Sequence, residues 1–490
     1  MKKFLSLFLT LVMLLGLVAC GSSDAGNGGD TTPATEGTPA FQAGYAKIDI
    51  TPTQHGIGMS GYGNEADRKS TGILSYVYAI AVAVQDAEGN IAVMVSVDQC
   101  SISTSNCEEV RKWAESKLGI PAQNILISSI HQHSTPVSGD GNYNPQLMQG
   151  LKDAIKEAVE DLAPAEIYMN KVTTEGLSFV RRFWANDGDF VSSHSGSAAS
   201  GIKDYESEAD KEMRLLKFVR EGKDPIIMVN FQGHPHMGTG SKETDVHSDW
   251  PGVMRDEVAA QLGAQCIYFS GAGGNMNSTT RIAEDLITQD KTDFRTHGKR
   301  AAEYVVNAES GYTKLEPGLI ACVEQSQNYG ADHTLDHLLP SAMLVNDVRK
   351  TEGIAAAHVY VKEFPELNST YQASAIVTKA ALGETKALTY TVITFGDVAF
   401  SAHPYEMFDT NGVELREGTV GNDHYAAEDQ LENPYEMHFV TSLSNGSEGY
   451  IPSYDGFTNG GYERDTTKYA QGTGELIVAD ILRVLNNLHK

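Results

Sequence analysis

Cysteine is scarce in this chain: five occur in 490 residues and none stands at CxxC spacing, so a thiolate zinc site is not expected. Basic residues are also few, with 37 Lys plus Arg against 64 Asp plus Glu and a formal net charge of −27. A negative field of that size repels phosphate backbones, which excludes nucleic acid as a partner. No apolar run reaches the roughly 20 residues of a membrane-spanning helix. What is present is ordinary globular composition, 41% hydrophobic and 21% charged, with 47 Gly and 16 Pro. At about 150 residues per domain the length permits roughly three domains, or one large α/β unit with a sizeable core.

The amino terminus reads as an export signal. Lys2 and Lys3 precede a mostly apolar run from Phe4 to Val18, too short to span a bilayer. Leu17-Val18-Ala19-Cys20 resembles the bacterial lipobox. The expectation is a signal peptide over residues 1–19, a lipid on Cys20 as the new amino terminus, and a flexible linker over 20–41. Residues 21–40 hold no large apolar side chain to offset ordering entropy. A removed signal with a soluble product, or an uncleaved anchor, ranks below this reading. The expected location is outside the cell, lipid-anchored at the outer face of a bacterial cell membrane. In that oxidising setting Cys100 and Cys107 have a route to pairing, which spacing alone does not decide.

Beyond the linker, residues 42–490 contain no long low-complexity stretch and no convincing repeat, and read as one large catalytic domain. Ile91–Val97 (IAVMVSV) is too apolar for a half-exposed strand. Ser105 and Glu108 fit a capping box, Val110, Trp113, Ala114 and Leu118 share a helical face, and Gly119-Ile120-Pro121 ends the helix. A second apolar strand follows at 124–130. Strand, helix, strand with short links is the βαβ pattern, so the fold class is α/β, with a mixed, largely parallel central sheet covered by helices.

Ligands of such sheets sit beyond the carboxyl ends of strands, where this chain places its chemistry. The strand at 124–130 runs into His131-Gln132-His133, Ile226–Phe231 runs into Gly233-His234-Pro235-His236, and Cys266–Ser270 runs into Gly271-Ala272-Gly273-Gly274-Asn275. A later hairpin with Gly396-Asp397 at its turn ends at His403, Pro404 and Glu406. His131 and His133 alternate to opposite faces unless the backbone bends at the strand end. An isolated HxH is best read as one buried and one exposed histidine. His234 on a different strand makes metal binding the better reading, because catalytic zinc commonly takes three protein ligands and a water. Asp98 is a candidate to orient one imidazole. Asp249 reads as a helix N-cap, and His236 and His247 receive no ligand role. SGAGGNMNS at 270–278 is either a tight turn into a helix or a loop whose backbone approaches a ligand. It matches neither a dinucleotide fingerprint nor a nucleophile elbow. Composition and spacing alone promote none of Glu406, Tyr450, Tyr462, Arg181 and Arg182.

The ordered set GYAKIDITP (44–52), MSGYG (59–63), SSIHQHSTP (128–136), VRRF (180–183), FQGHP (231–235), HSDWPG (247–252), GAGGNMN (271–277), PYEMF (404–408), GYIPS near 450 and GGYE near 462 resembles the neutral/alkaline non-lysosomal ceramidase family. The likeness extends over nearly all of residues 42–487 and corresponds to that family's amino-terminal catalytic domain. It implies a catalytic Zn2+ held by His131, His234, Glu406 and Tyr450. It places His133 against substrate, where it is the candidate for proton transfer to the leaving amine. Arg181 and Tyr462 fall near the reacting group, with Arg182 the neighbouring alternative. Asn277 takes the position of a serine proposed as nucleophile in ceramidases, Asn275 that of an Asp, and Ser278 is one residue off, which favours a zinc-activated water over a serine. The β-sandwich tail of full-length ceramidases has no counterpart here, and membrane engagement falls to the Cys20 lipid. The resulting expectation is a zinc-dependent hydrolase that cleaves an N-acyl, ceramide-like lipid of sphingolipid metabolism into fatty acid and amine. The alternatives are a zinc hydrolase of another ester or amide, or a non-catalytic lipid- or glycan-binding surface lipoprotein.

Overall fold

The computed structural model describes residues 41–193, 198–238, 240, 242–278, 294–420, 430–431 and 434–489. The expected signal peptide, Cys20 and all but the last residue of the linker lie outside these.

Eight strands and one short addition form the main sheet. They are β1 (Gln42–Asp49), β2 (Tyr78–Gln85), β3 (Ile91–Val97), β4 (Ile125–Ser129), β5 (Ala163–Thr173), β6 (Glu212–Arg220), β7 (Ile226–Phe231) and β8 (Gln265–Ser270), in the spatial order β8-β7-β6-β5-β1-β2-β3-β4. Thr313–Leu315 pairs with β5. The expected βαβ unit is present: helix α1 (Thr104–Leu118) connects β3 to β4, which pair in parallel. Helix α2 (Asn144–Glu160) follows, and α3 (Asp249–Leu262) connects β7 to its parallel partner β8. The sheet is mixed, as expected, but parallel pairing is confined to these two edges. Every pairing between them is antiparallel, because short links such as 86–90 and 221–225 return the chain directly. Helix α1 is capped by Ser103, whose hydroxyl accepts the Asn106 N–H at 3.2 Å, in place of the Ser105–Glu108 box; Gly119 ends it at φ 71°.

Period-2 alternation gives the sheet two apolar faces. One carries Ala79, Ala81, Val93, Val95 and Ile127 against α1 and α2, and Ile227, Val229 and Tyr268 against α3 and α4 (Phe294–Asn307). The other carries Ile80, Val82, Met94, Met228 and Phe269 against a second sheet. That sheet orders β9 (Ile320–Gly330), β10 (Thr385–Phe395), β11 (Val398–Ala402) and Met437–Thr441. The β10–β11 hairpin turns at Gly396-Asp397, as read, with Gly396 at φ 60°. Helix Thr473–Leu488 covers the outer face through Ile477, Ile481, Leu482 and Leu485. The helices at Leu339–Glu352, Ile354–Tyr360 and Thr370–Lys379 pack around a small core of their own that includes Ala342, Val345, Ala373 and Ile376. Cys100 and Cys107 are buried free thiols. Among the described residues no helix is long and apolar enough to cross a membrane.

The main sheet curls until its two parallel edges meet. Ser96 on β3 donates its hydroxyl to the Tyr268 carbonyl on β8. The segment after Met437–Thr441 stitches the strand ends together: Ser129 N–H donates to the Leu443 carbonyl at 3.1 Å, and Ser442 N–H to the Ser270 carbonyl at 3.2 Å. Strands at opposite ends of the sheet order therefore finish side by side.

Candidate metal centre and active site

That closure brings the two histidine clusters together. His131 stands at φ 65°, a left-handed bend at the end of β4 that strict strand alternation does not supply. The bend turns both imidazoles of the HxH inward, with ring centroids 4.9 Å apart. His131 Nδ1 lies 2.9 Å from the Cys100 carbonyl. A carbonyl only accepts, so Nδ1 carries a proton and Nε2 is the ring nitrogen turned toward the centre. His131 Nε2 is 3.2 Å from Glu406 Oε2, and the His131 and His234 rings are 4.5 Å apart. The ligand atoms of His131, His234 and Glu406 all lie within 4.8 Å of one another. They border a cavity of about 10 Å³ with Pro235, Ser270, Gly271 and Gly274. That is room for one small ion or water.

Glu406 reaches the centre through backbone pairing. Glu406–Met407 forms a parallel ladder with Tyr450–Ile451, in which Glu406 faces Tyr450. The glycine-rich loop locks onto this ladder: Gly274 N–H donates to the Met407 carbonyl at 2.7 Å, and a Cβ at 274 would lie 2.6 Å from the Glu406 carbonyl oxygen. The loop thus serves close backbone approach. Two imidazoles, a carboxylate and an adjacent phenol form the N/O donor set that suits zinc. Burial opposes a charge on His131, yet the neighbouring Glu406 and Cys100 outweigh it and its pKa lies well above the ordinary value. Burial, with His131 and His236 nearby, pushes His234 well below that value. Burial and the Glu406 charge push the Tyr450 phenol up.

Arg181 approaches from the other side. It is fully buried and donates to the Gly274 carbonyl at 2.9 Å, the Asn277 side chain at 3.2 Å and the Tyr450 hydroxyl at 3.3 Å. Arg182, one residue along, instead reaches Glu206 and the Gly456 carbonyl, so Arg181 is the one of the doublet that contacts Tyr450. Tyr462 packs 5.5 Å from Tyr450, ring to ring. His133 is buried beneath Gly61, where a Cβ would meet its ring at 2.5 Å, and is met edge-on by Tyr62 at 5.1 Å.

A sequence model of the neutral/alkaline non-lysosomal ceramidase family, its amino-terminal part, matches residues 41–258. That stretch of the chain is similar to the amino-terminal part of the family. Among curated relatives, neutral ceramidase 2 of Arabidopsis thaliana is 28% identical over 207 residues, covering 39% of this chain and 26% of that one. Neutral ceramidase of Drosophila pseudoobscura pseudoobscura is 27% identical over 228 residues, covering 43% and 29%. The matched region therefore spans about a quarter of the length of these ceramidases. Among solved structures, neutral ceramidase from Pseudomonas aeruginosa superposes with a TM-score of 0.67 at 18% identity, over 92% of this chain and 75% of that one. A ceramidase complexed with C2 gives 0.66 at 16% identity, over 92% and 76%. The fold is that of the neutral ceramidases.

Two positions that depart from the ceramidase pattern have defined surroundings. Asn277 sits against Arg181 in a short antiparallel pair, Met276–Ser278 with Ser178–Val180. Asn275 forms a reciprocal pair with Asp409, receiving its N–H at 2.9 Å and donating Nδ2 to its carboxylate at 2.6 Å. Asp98 does not orient an imidazole. It forms a two-pronged ion pair with Arg255 of α3 at 2.7 and 2.8 Å and accepts the Tyr78 N–H, because α3 crosses the end of β3 there. The role expected of it is taken by the Cys100 carbonyl, which no side-chain pattern announces. Asp249 opens α3 at φ 49° with Ser248 in the cap position, and its carboxylate accepts the N–H groups of Trp250 and Gly238. Sequence reasoning also missed Glu463, although two adjacent arginines in an apolar strand required a buried counter-charge.

Proposed function

We propose that this chain is a zinc-dependent hydrolase of a linear amide, cleaving an N-acyl lipid of the ceramide type into a fatty acid and an amine. The observation that carries the proposal is the convergence of His131, His234 and Glu406 within 4.8 Å, from three separate segments, beside the buried Arg181–Tyr450 contact. The similarity of residues 41–258 to the ceramidase family, and of the fold to solved neutral ceramidases, supports amide chemistry and a lipid substrate.

His131 Nε2, His234, Glu406 and Tyr450 would hold the metal. Zinc bound there would supply Lewis-acid polarisation of the acyl carbonyl and a water acidified toward neutrality. The residues of the chain do the rest. The Cys100 carbonyl keeps His131 in the tautomer that presents Nε2. Arg181 and Tyr462 offer hydrogens to the acyl oxygen as negative charge grows on it, a task in which one donor is commonly worth about 3 kcal/mol. Asn277 holds the Arg181 fork and takes no covalent part. Water adds to the acyl carbon and gives a proton to His133, the C–N bond breaks, and His133 passes that proton to the departing amine. A lipid on Cys20 and the linker over 20–41 would keep the domain at a membrane's outer face, within reach of such substrates.

Metal analysis of the purified protein, paired with fatty-acid release from ceramide, tests the proposal. His234→Ala is expected to lose both metal and activity. Stoichiometric zinc without turnover of any acyl substrate would overturn the enzyme reading, and cleavage of short soluble amides alone would overturn the lipid substrate. Mass spectrometry of the mature amino-terminal peptide tests the lipid on Cys20.

A further inference from the structure

All but one of the N–H groups of Arg181 are engaged. Nη2 donates to Gly274 and Tyr450, Nη1 to Asn277, and Nε to Glu463 Oε1 at 2.7 Å, which leaves a single Nη1 hydrogen. Among the described residues Glu463 is the only carboxylate in ion-pair contact with Arg181. It is itself completely buried, and its other oxygen accepts from Arg182 Nη1 at 2.6 Å and from the Ser192 hydroxyl at 2.9 Å. One carboxylate thus serves two guanidiniums with different surroundings. Arg181 faces the metal centre, whereas Arg182 lies between the rings of Phe190 and Phe408, 5.0 Å from each.

We propose that Glu463 is a positioning residue of the active site, fixing the Arg181 fork so that its last free hydrogen is offered to the substrate's acyl oxygen. The identity of that oxygen rests on the hydrolase reading above; the placement of Arg181 does not. The physical argument has two parts. A planar fork gripped at Nε cannot rotate without breaking its bonds to Asn277, Gly274 and Tyr450 together. Without the carboxylate, two guanidinium charges on consecutive residues would share a dry interior, and mutual repulsion would drive Arg181 from the site. Glu463 also follows Tyr462 in the same short turn, Tyr462–Thr466, so one tie places both candidate oxyanion donors. Burial works against its charge, but Arg181 and Arg182 overcome this and hold its pKa down at about 2, which keeps the tie ionised at neutral pH.

Glu463→Gln keeps the shape and removes the charge. It is expected to lower kcat for fatty-acid release by about 10- to 100-fold, the range typical of groups that orient a reacting residue. KM should change far less. Zinc content should match wild type, because Glu463 contacts none of His131, His234 and Glu406. Combination with Arg181→Lys should add little further loss, as for two residues acting as one unit. Glu463→Asp should recover part of the rate. Arg182→Gln should lower the thermal midpoint while kcat stays near wild type, which a merely structural role for Glu463 does not predict. A crystal structure of Glu463→Gln should show Arg181 withdrawn from Asn277 and Tyr450. Wild-type kcat, an unmoved Arg181, or losses that simply multiply with Arg181→Lys would overturn the inference. Should wild-type protein prove inert on every acyl substrate, the hydrolase reading falls, and the Arg181 position in the variant crystal still decides the role of Glu463.

Discussion

Glu406 and Tyr450 face one another across a two-residue parallel ladder, and Glu406 N–H donates to the Gly449 carbonyl at 2.8 Å. Backbone pairing, rather than packing alone, therefore places the carboxylate beside the phenol. Tyr450→Phe preserves the ladder and deletes one donor. Zinc affinity is expected to fall by about tenfold or more, with little change in thermal midpoint. Metal retention after dialysis against a graded chelator checks this, and wild-type retention would remove Tyr450 from the ligand set.

Asp98 and Arg255 form a buried ion pair that serves the fold and not the metal. Asp98→Asn leaves the guanidinium unpaired in the interior, at an expected cost of about 3–5 kcal/mol. Urea unfolding measures the loss. Zinc content of the folded fraction should stay at the wild-type level, since His131 is oriented by the Cys100 carbonyl.

Asn275→Asp restores a carboxylate that the family pattern carries, but here Asp409 already occupies the facing position 2.6 Å away. Burial has pushed the Asp409 carboxyl up to about 6. Two facing carboxylates must share a proton, so the variant is expected to be less stable at neutral pH by about 1–3 kcal/mol. The added pair has a raised folded pKa, so the deficit should shrink as pH falls from 7 toward 5. Denaturant titrations of both proteins at several pH values decide it; a deficit that widens in acid contradicts the assignment.

Stability of the wild-type protein should fall with acid from about pH 6.5, the ordinary histidine value. Burial lowers His403 and His438 to about 3, so between those limits the unfolded chain binds protons that the native state refuses. Asp409, raised to about 6, opposes this, as do Asp249 and Glu475, whose carboxyls burial also raises, while His234 and His247 are lowered alongside His403 and His438. Below the ordinary carboxylate range Glu463, held at about 2, adds a second loss. Thermal midpoints across pH 8 to 4 in one buffer series should therefore decline progressively on the acid side. A midpoint that rises steadily from pH 6.5 to 4 would contradict the buried neutral histidines.

What the sequence determined by itself was local. β-branched runs with periods of two and helical faces with periods near four marked β3, α1, β4, β7 and β8, and the histidines and glycines showed themselves at the ends of those strands. The set of ordered short motifs supplied the resemblance to the ceramidases. What only tertiary structure decided was which strand ends coincide. β4 ends one side of the sheet order and β7 stands next to the other end, and curling of the sheet, not proximity in the chain, brings His131 to His234. The left-handed bend at His131, the different partners of Arg181 and Arg182 and the orienting carbonyl of Cys100 were equally invisible beforehand. Each depends on where distant backbone falls, and that is set by how whole layers close over their apolar faces.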